Sequence, residues 1–172
     1  MHLKPLVRRF GLFAHIVTSV GWLGAVIVFA ALSVAGLTAE DPQLVRASYR
    51  LMDMCARNTL VPLAFASLLT GIAQSLLTHW GLFQHYWVVM KLVATAGATT
   101  ILLVYLETFR TIAAMAADPA TAIDAVRNPS PLLHAALALL VLGFATALAI
   151  FKPRGLTALG WRRRSAGSTG PS

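Results

Sequence analysis

The side chains with chemical capacity are few and widely spaced: His15, His79, His85, His134, Lys91, Glu107 and the lone Cys55. An imidazole can ligate a metal ion or pass a proton. An ammonium can hold a carboxylate or phosphate through charge-assisted hydrogen bonds. Lys91 stands out because it closes the ring-rich stretch HWGLFQHYWVVMKL (79–92) and precedes the uncharged run 92–106. Lys91, Thr95 and Thr99 recur every four residues and so share one helix face. A polar face on an apolar helix should turn inward, which points to an anionic group within. The plainer reading has Lys91 snorkelling to a membrane surface near Trp80, Tyr86 and Trp87, rings suited to that interface.

His15 shares its face with Ser19 and Trp22 and is a candidate metal ligand. The plainer reading is a hydrogen bond to a neighbouring helix. His134 falls at the opposite end of the same apolar layer, roughly 15–20 Å deeper by rise per residue. One haem iron therefore cannot take both. A single bis-histidine site would pair His15 with His79 or His85; otherwise there is one ligand, or there are two sites. Glu107 is placed to pair with Arg110 or to reach His134. Met52, Met54 and Cys55 resemble a soft-metal cluster, but residues two apart on a helix face different ways. One cysteine excludes an internal disulfide and a CxxC redox centre. No Ser/His/Asp or Cys/His set supports nucleophilic catalysis.

The elements that must position these groups are membrane helices. Hydrophobic residues make up 58% of the chain and charged residues 12%, against roughly 25% charged in a soluble domain. Runs 10–39, 58–90, 92–106 and 128–151 contain no Asp, Glu, Lys or Arg. A span needs about 20 apolar residues, so the sequence predicts four, near 11–37, 59–78, 86–107 and 131–151. Short loops make neighbours antiparallel. The expected fold is an all-α integral membrane up-down four-helix bundle over 1–155, with short amphipathic loop helices. A basic tail, 156–172, should be disordered from Ser165 onward. A signal peptide is the competing reading of the first span, with Ser33-Val34-Ala35 as cleavage site. That apolar stretch is nearly twice the roughly 7–15 residues of a signal core.

The net charge of +8 collects at helix ends, a topogenic pattern rather than a nucleic-acid surface. Eight cations (Lys4, Arg8, Arg9, Lys152, Arg154, Arg162, Arg163, Arg164) share the side of the termini, against five (Arg46, Arg50, Arg57, Arg110, Arg127) opposite. The excess predicts both termini in the cytoplasm. Asp41-Pro42 should open an amphipathic extension before the second span. Its Arg46, Arg50, Asp53 and Arg57 would form a salt-bridged polar face, and Leu44, Leu51 and Cys55 an apolar one. Asp118-Pro119 should open a short loop helix, Ser130-Pro131 should start the last span, and Pro62 should kink the second. Small residues offer close helix contacts: Ser67, Gly71 and Ser75 on the second span, and Ala14, Thr18, Gly21 and Ala25 on the first. The sequence leaves a homo-oligomer open.

His15-x6-Trp22, the helix from Pro62 to Gly71, Trp87-x3-Lys91 and Lys152-Pro153 together resemble the HemJ-type protoporphyrinogen oxidases, small bacterial membrane proteins that bind haem b. The similarity covers about residues 8–155 at sparse positions. The WGL…HYWVxxKL and FKPRGLT segments are similar to an uncharacterised group of small bacterial four-span membrane proteins. The first resemblance implies a haem b redox protein of the bacterial inner membrane, with porphyrin or haem as partner. It makes His15 the axial ligand, Trp87 the helix 3 tryptophan, and Lys91 the lysine that holds a propionate. The family's arginine and histidine near the end of helix 1 are replaced here by Phe29-Ala30-Ala31-Leu32, and its arginine before helix 2 corresponds to Arg46 or Arg50. Copper-resistance membrane proteins carry a similar His…Trp-Leu-Gly helix. Without a cofactor, the chain would be a membrane scaffold, an assembly partner or a small-molecule carrier.

Overall fold

A computed structural model describes residues 5–78 and 81–167, the last five as backbone only. The helices are α1 Pro5–Thr38, α2 Pro42–Cys55, α3 Val61–Leu76, α4 Tyr86–Ala117, α5 Ile123–Val126, α6 Ser130–Phe151 and α7 Ala158–Gly167. Among the described residues there is no strand. α1, α3, α4 and α6 pack in a closed ring, each against the next, and α2 lies against α1 and α4. The fold is thus the expected all-α four-helix bundle. Four helical segments are long and apolar enough to cross a membrane, compatible with an integral membrane protein. Only 17–33% of each apolar window is buried inside the chain, so most of that apolar surface faces outward, as contact with a bilayer would require.

The second segment differs from expectation. α2 and α3 form one continuous rod, Pro42–Leu76, joined by a π-helical turn at Ala56–Leu60. Val61 N–H reaches back to the Ala56 carbonyl, and Pro62, one residue on, has no N–H for Asn58. The irregularity expected at Pro62 is therefore this wide turn. α2 is the extension that leads into the second span, and it buries Val45, Ser48, Tyr49 and Met52 against the bundle, with Tyr49 2% and Met52 1% exposed. Leu44 and Leu51, on the expected apolar face, are 49% and 43% exposed. α4 outruns its expected end at 107 because Phe109, Ile112 and Ala116 bury themselves in the same core as α2.

Both ends of the bundle are tied by polar contacts. On the loop side, Arg127 donates to the carbonyls of Gly36, Leu37 and Ala39 at the end of α1. Arg46 donates to Ala116, Asp118 and Thr121 at the end of α4. The two guanidiniums satisfy carbonyls that a helix C-terminus leaves without partners. The Tyr49 hydroxyl donates to the Asn128 carbonyl at 3.0 Å and accepts from its N–H at 2.7 Å. On the other side, α6 stops at Lys152, whose φ of 42° is left-handed, before Pro153. Residues 155–157 then pair with the turn before α4: Tyr86 N–H donates to Gly155, and Thr157 N–H to Gln84. The Thr157 hydroxyl accepts from Gly160 N–H at 3.2 Å and starts α7. The stretch from Ser165, expected to be disordered, is therefore helical as far as Gly167. His79 and Trp80, Lys4, and residues 168–172 lie outside the described residues.

Candidate functional site

His15 and Lys91 meet inside the bundle. Lys91 Nζ lies 3.2 Å from His15 Nε2. An ammonium can only donate, so Nε2 accepts and the ring proton sits on Nδ1. That nitrogen lies 3.1 Å from Thr70 Oγ1, which can take its proton because it donates its own hydrogen to the Ala66 carbonyl at 2.6 Å. Thr18 Oγ1 stands 3.2 Å from Thr70 Oγ1, and Ser19 Oγ lies 2.8 Å from Ser67 Oγ. Three helices thus contribute to one polar cluster: α1 through His15, Thr18 and Ser19, α3 through Ser67 and Thr70, and α4 through Lys91.

Small residues make this possible. A Cβ on Gly71 would come within 3.0 Å of His15 Cε1, so the absence of a side chain there lets the imidazole lie flat on α3. Gly21 similarly receives Leu63. Thr18, Gly21, Ser67 and Gly71 of the two small-residue stripes read from the sequence do meet the facing helix at the α1–α3 contact, while the hydroxyl that holds His15 comes from Thr70, outside both. One turn along α3 from Thr70, the side-chain oxygen of Gln74 is buried without a hydrogen-bond partner. Such an acceptor calls for a donor.

Among the described residues Lys91 has no anionic partner. The ion pairs among the described residues are Asp53–Arg57 at 2.9 Å and Glu107–Arg110 at 3.5 Å. The polar face of α4 does turn inward at Thr99, which is buried, yet its hydroxyls serve their own helix: Thr95 donates to Lys91 O and Thr99 to Thr95 O. Trp87, at the start of α4, packs inward rather than outward. It is buried with Val88 and Leu148 in a separate cluster between α4 and α6, whereas Tyr86 beside it is exposed. His85 stands at the N-cap of α4, bridged through its backbone to Leu156.

The opposite half holds His134, and it meets Tyr105 rather than Glu107. Their ring centroids are 3.6 Å apart. His134 Nδ1 donates to the Ser130 carbonyl at 2.7 Å. Beside these rings, α1, α4 and α6 line an open-sided cavity of about 310 Å³. Met52 and Met54 part company as their spacing requires: Met52 is buried, accepting from the Ser33 hydroxyl, and Met54 is exposed. Among the described residues no three of His, Cys, Asp and Glu converge as a metal ion would need. Sequence reasoning missed Thr70, Tyr105 and the capping roles of Arg46 and Arg127. Thr70 adjoins Gly71 in the small-residue stripe, a signal that was present.

A scan of protein-family models finds no match, and neither the curated proteins nor the solved structures include a similar chain.

Proposed function

We propose that this chain is a multi-pass membrane protein of the bacterial inner membrane, with both termini cytoplasmic, that holds haem b in the half of the bundle nearest its termini. His15 would be the axial ligand and Lys91 the partner of a propionate. The observation that carries this reading is a cation set against the Nε2 lone pair of a tautomer-fixed histidine, with no carboxylate to neutralise it. An ionisable group inside a membrane bundle is costly and marks a functional site by default. The residues fit the group on chemical grounds. Thr70 holds the proton on Nδ1 and leaves Nε2 as the donor atom, which is how a ligating histidine is ordinarily prepared. The lysine stem is flexible, so its ammonium can leave Nε2 for a carboxylate. Haem would supply one-electron chemistry. The chain's own work is to orient the imidazole, hold the anionic edge and keep water out with the apolar residues around it.

A second reading has one observation in its favour: both ring nitrogens of His15 already have partners. In it the cluster ties three helices of a cofactor-free scaffold, assembly partner or carrier. Absorbance spectra of protein purified from haem-replete cells separate the two. The first expects a Soret band at stoichiometric loading that is lost in His15→Ala and kept in His134→Ala. Absence of the band, or its loss only in His134→Ala, overturns it.

A further inference from the structure

The cavity beside His134 is a second site, in the other half of the bundle. Trp22 and Phe29 of α1 and Tyr105 and Phe109 of α4 supply aromatic walls, and Gly97 and Ala135 leave the space between α4 and α6. A Cβ on Gly97 would meet nothing within 4 Å. The lining contains no charged residue, so a neutral occupant suits it.

Two residues with polar groups, His134 and Tyr105, line this apolar space. His134 Nδ1 donates to the Ser130 carbonyl, which leaves Nε2 unprotonated as an acceptor, and among the described residues nothing donates to it. The Tyr105 hydroxyl likewise has no hydrogen-bond partner among them. An apolar pocket with one or two convergent polar groups is the usual form of a small-molecule site. Val93, Ile101 and Leu137 also line the cavity and are exposed on the outer, lipid-facing surface of the helices. An occupant can therefore arrive sideways from the bilayer.

We propose that this cavity binds a lipid-soluble phenol: a neutral hydroxylated aromatic ring carrying an apolar tail. The ring packs among Trp22, Phe29 and Phe109, the hydroxyl donates to His134 Nε2 and accepts from Tyr105 Oη, and the tail leaves past Val93 and Ile101. A volume of about 310 Å³ lies at the small end of ligand pockets, which admits one ring and the start of a tail but no larger ring system. The site is independent of His15 and Lys91.

Calorimetric titration of the detergent-solubilised full chain with para-nonylphenol, and with its methyl ether, tests this. The ether keeps the shape and cannot donate. It should bind roughly three- to tenfold more weakly than the phenol, the worth of one hydrogen bond. His134→Ala should lower phenol affinity to that of the ether, whereas His15→Ala should leave it unchanged. Gly97→Leu, whose Cβ enters open space at the cavity wall, should abolish binding of both. Equal affinity for phenol and ether would overturn the proposal, as would undiminished binding to Gly97→Leu. The ligand comparison and the Gly97 variant decide the matter even if His134→Ala does not fold.

Discussion

Replacing Lys91 by methionine separates a structural lysine from a functional one by the sign of the effect. Methionine has a similar reach and neither charge nor donor. Lys91 lies five residues into α4, so its Cα is about 7–8 Å below the helix start. A lysine at the centre of a span costs about 2.5–3.5 kcal/mol on insertion scales; snorkelling at this shallower depth leaves about 1–2 kcal/mol of that. The bond to His15 Nε2 at 3.2 Å returns about 0.6 kcal/mol, the average found for polar pairs in membrane bundles. Lys91→Met should therefore stabilise the cofactor-free protein by about 0.4–1.4 kcal/mol, the difference of those two contributions. Reversible unfolding in mixed micelles reads it, and a cycle with His15→Ala isolates the pair. The same variant should weaken haem loading at least tenfold, because a charge-assisted bond to a propionate is worth about 1.5–3 kcal/mol. Destabilisation by more than about 1 kcal/mol, beyond the average pair, would make Lys91 a helix tie and refute the reasoning.

Other expectations follow from single contacts. Tyr49→Phe removes both bonds to the half-buried Asn128 backbone and should cost about 1–3 kcal/mol in the same unfolding assay. Gly71→Ala places a methyl 3.0 Å from His15 Cε1; the ring must shift, and the His15 nitrogen resonances should move while secondary structure by circular dichroism does not. Asp118, in the loop after α4, is held below its ordinary value of 3.8 by the Ala120 N–H and then by the Thr121 hydroxyl. Because its folded-state value is depressed, its contribution is present above 3.8 and lost as pH falls through the lower folded value. Protection of the Ala120 amide from hydrogen exchange should accordingly persist below pH 3.8 in the native chain and lose that acid dependence in Asp118→Asn.

The spans were legible because hydropathy is a sum over many residues and tolerates local error. Each of the four expected spans overlaps one of the four long apolar segments. The face of α2 was not legible. Leu44 and Leu51 read as the apolar face because they stand away from the charged row, but in a membrane protein more than one side can be apolar. Tyr49 and Val45 go inward because Asn128 and the α1–α4 groove receive them. The pairing of His15 with Lys91 was foreseeable in depth and side, since an up-down topology fixes both. Its chemistry was not. The tautomer depends on Thr70, and the reach of Lys91 depends on how closely α1 approaches α3. The roles of the two loop arginines were hidden for a similar reason: backbone carbonyls are the same in every residue type and leave no mark in a sequence.

The two histidines can be placed against one ruler, because each touches α4. Lys91 meets His15 and Tyr105 meets His134, with fourteen residues between the two α4 positions. At helical rise this is about 21 Å along the axis, consistent with the depth expected from the sequence and too far for one ligated iron. No contact is shared, so the two sites should respond independently. In the double variant His15→Ala/His134→Ala, the loss of the haem spectrum should equal that of His15→Ala alone. Phenol affinity should match that of His134→Ala alone. If either substitution altered the other site's readout by more than about twofold, some element must be bistable and shared. The helix joining both is α4, and Gly97, whose missing side chain leaves open space midway between Lys91 and Tyr105, is the position at which such a coupling would be sought.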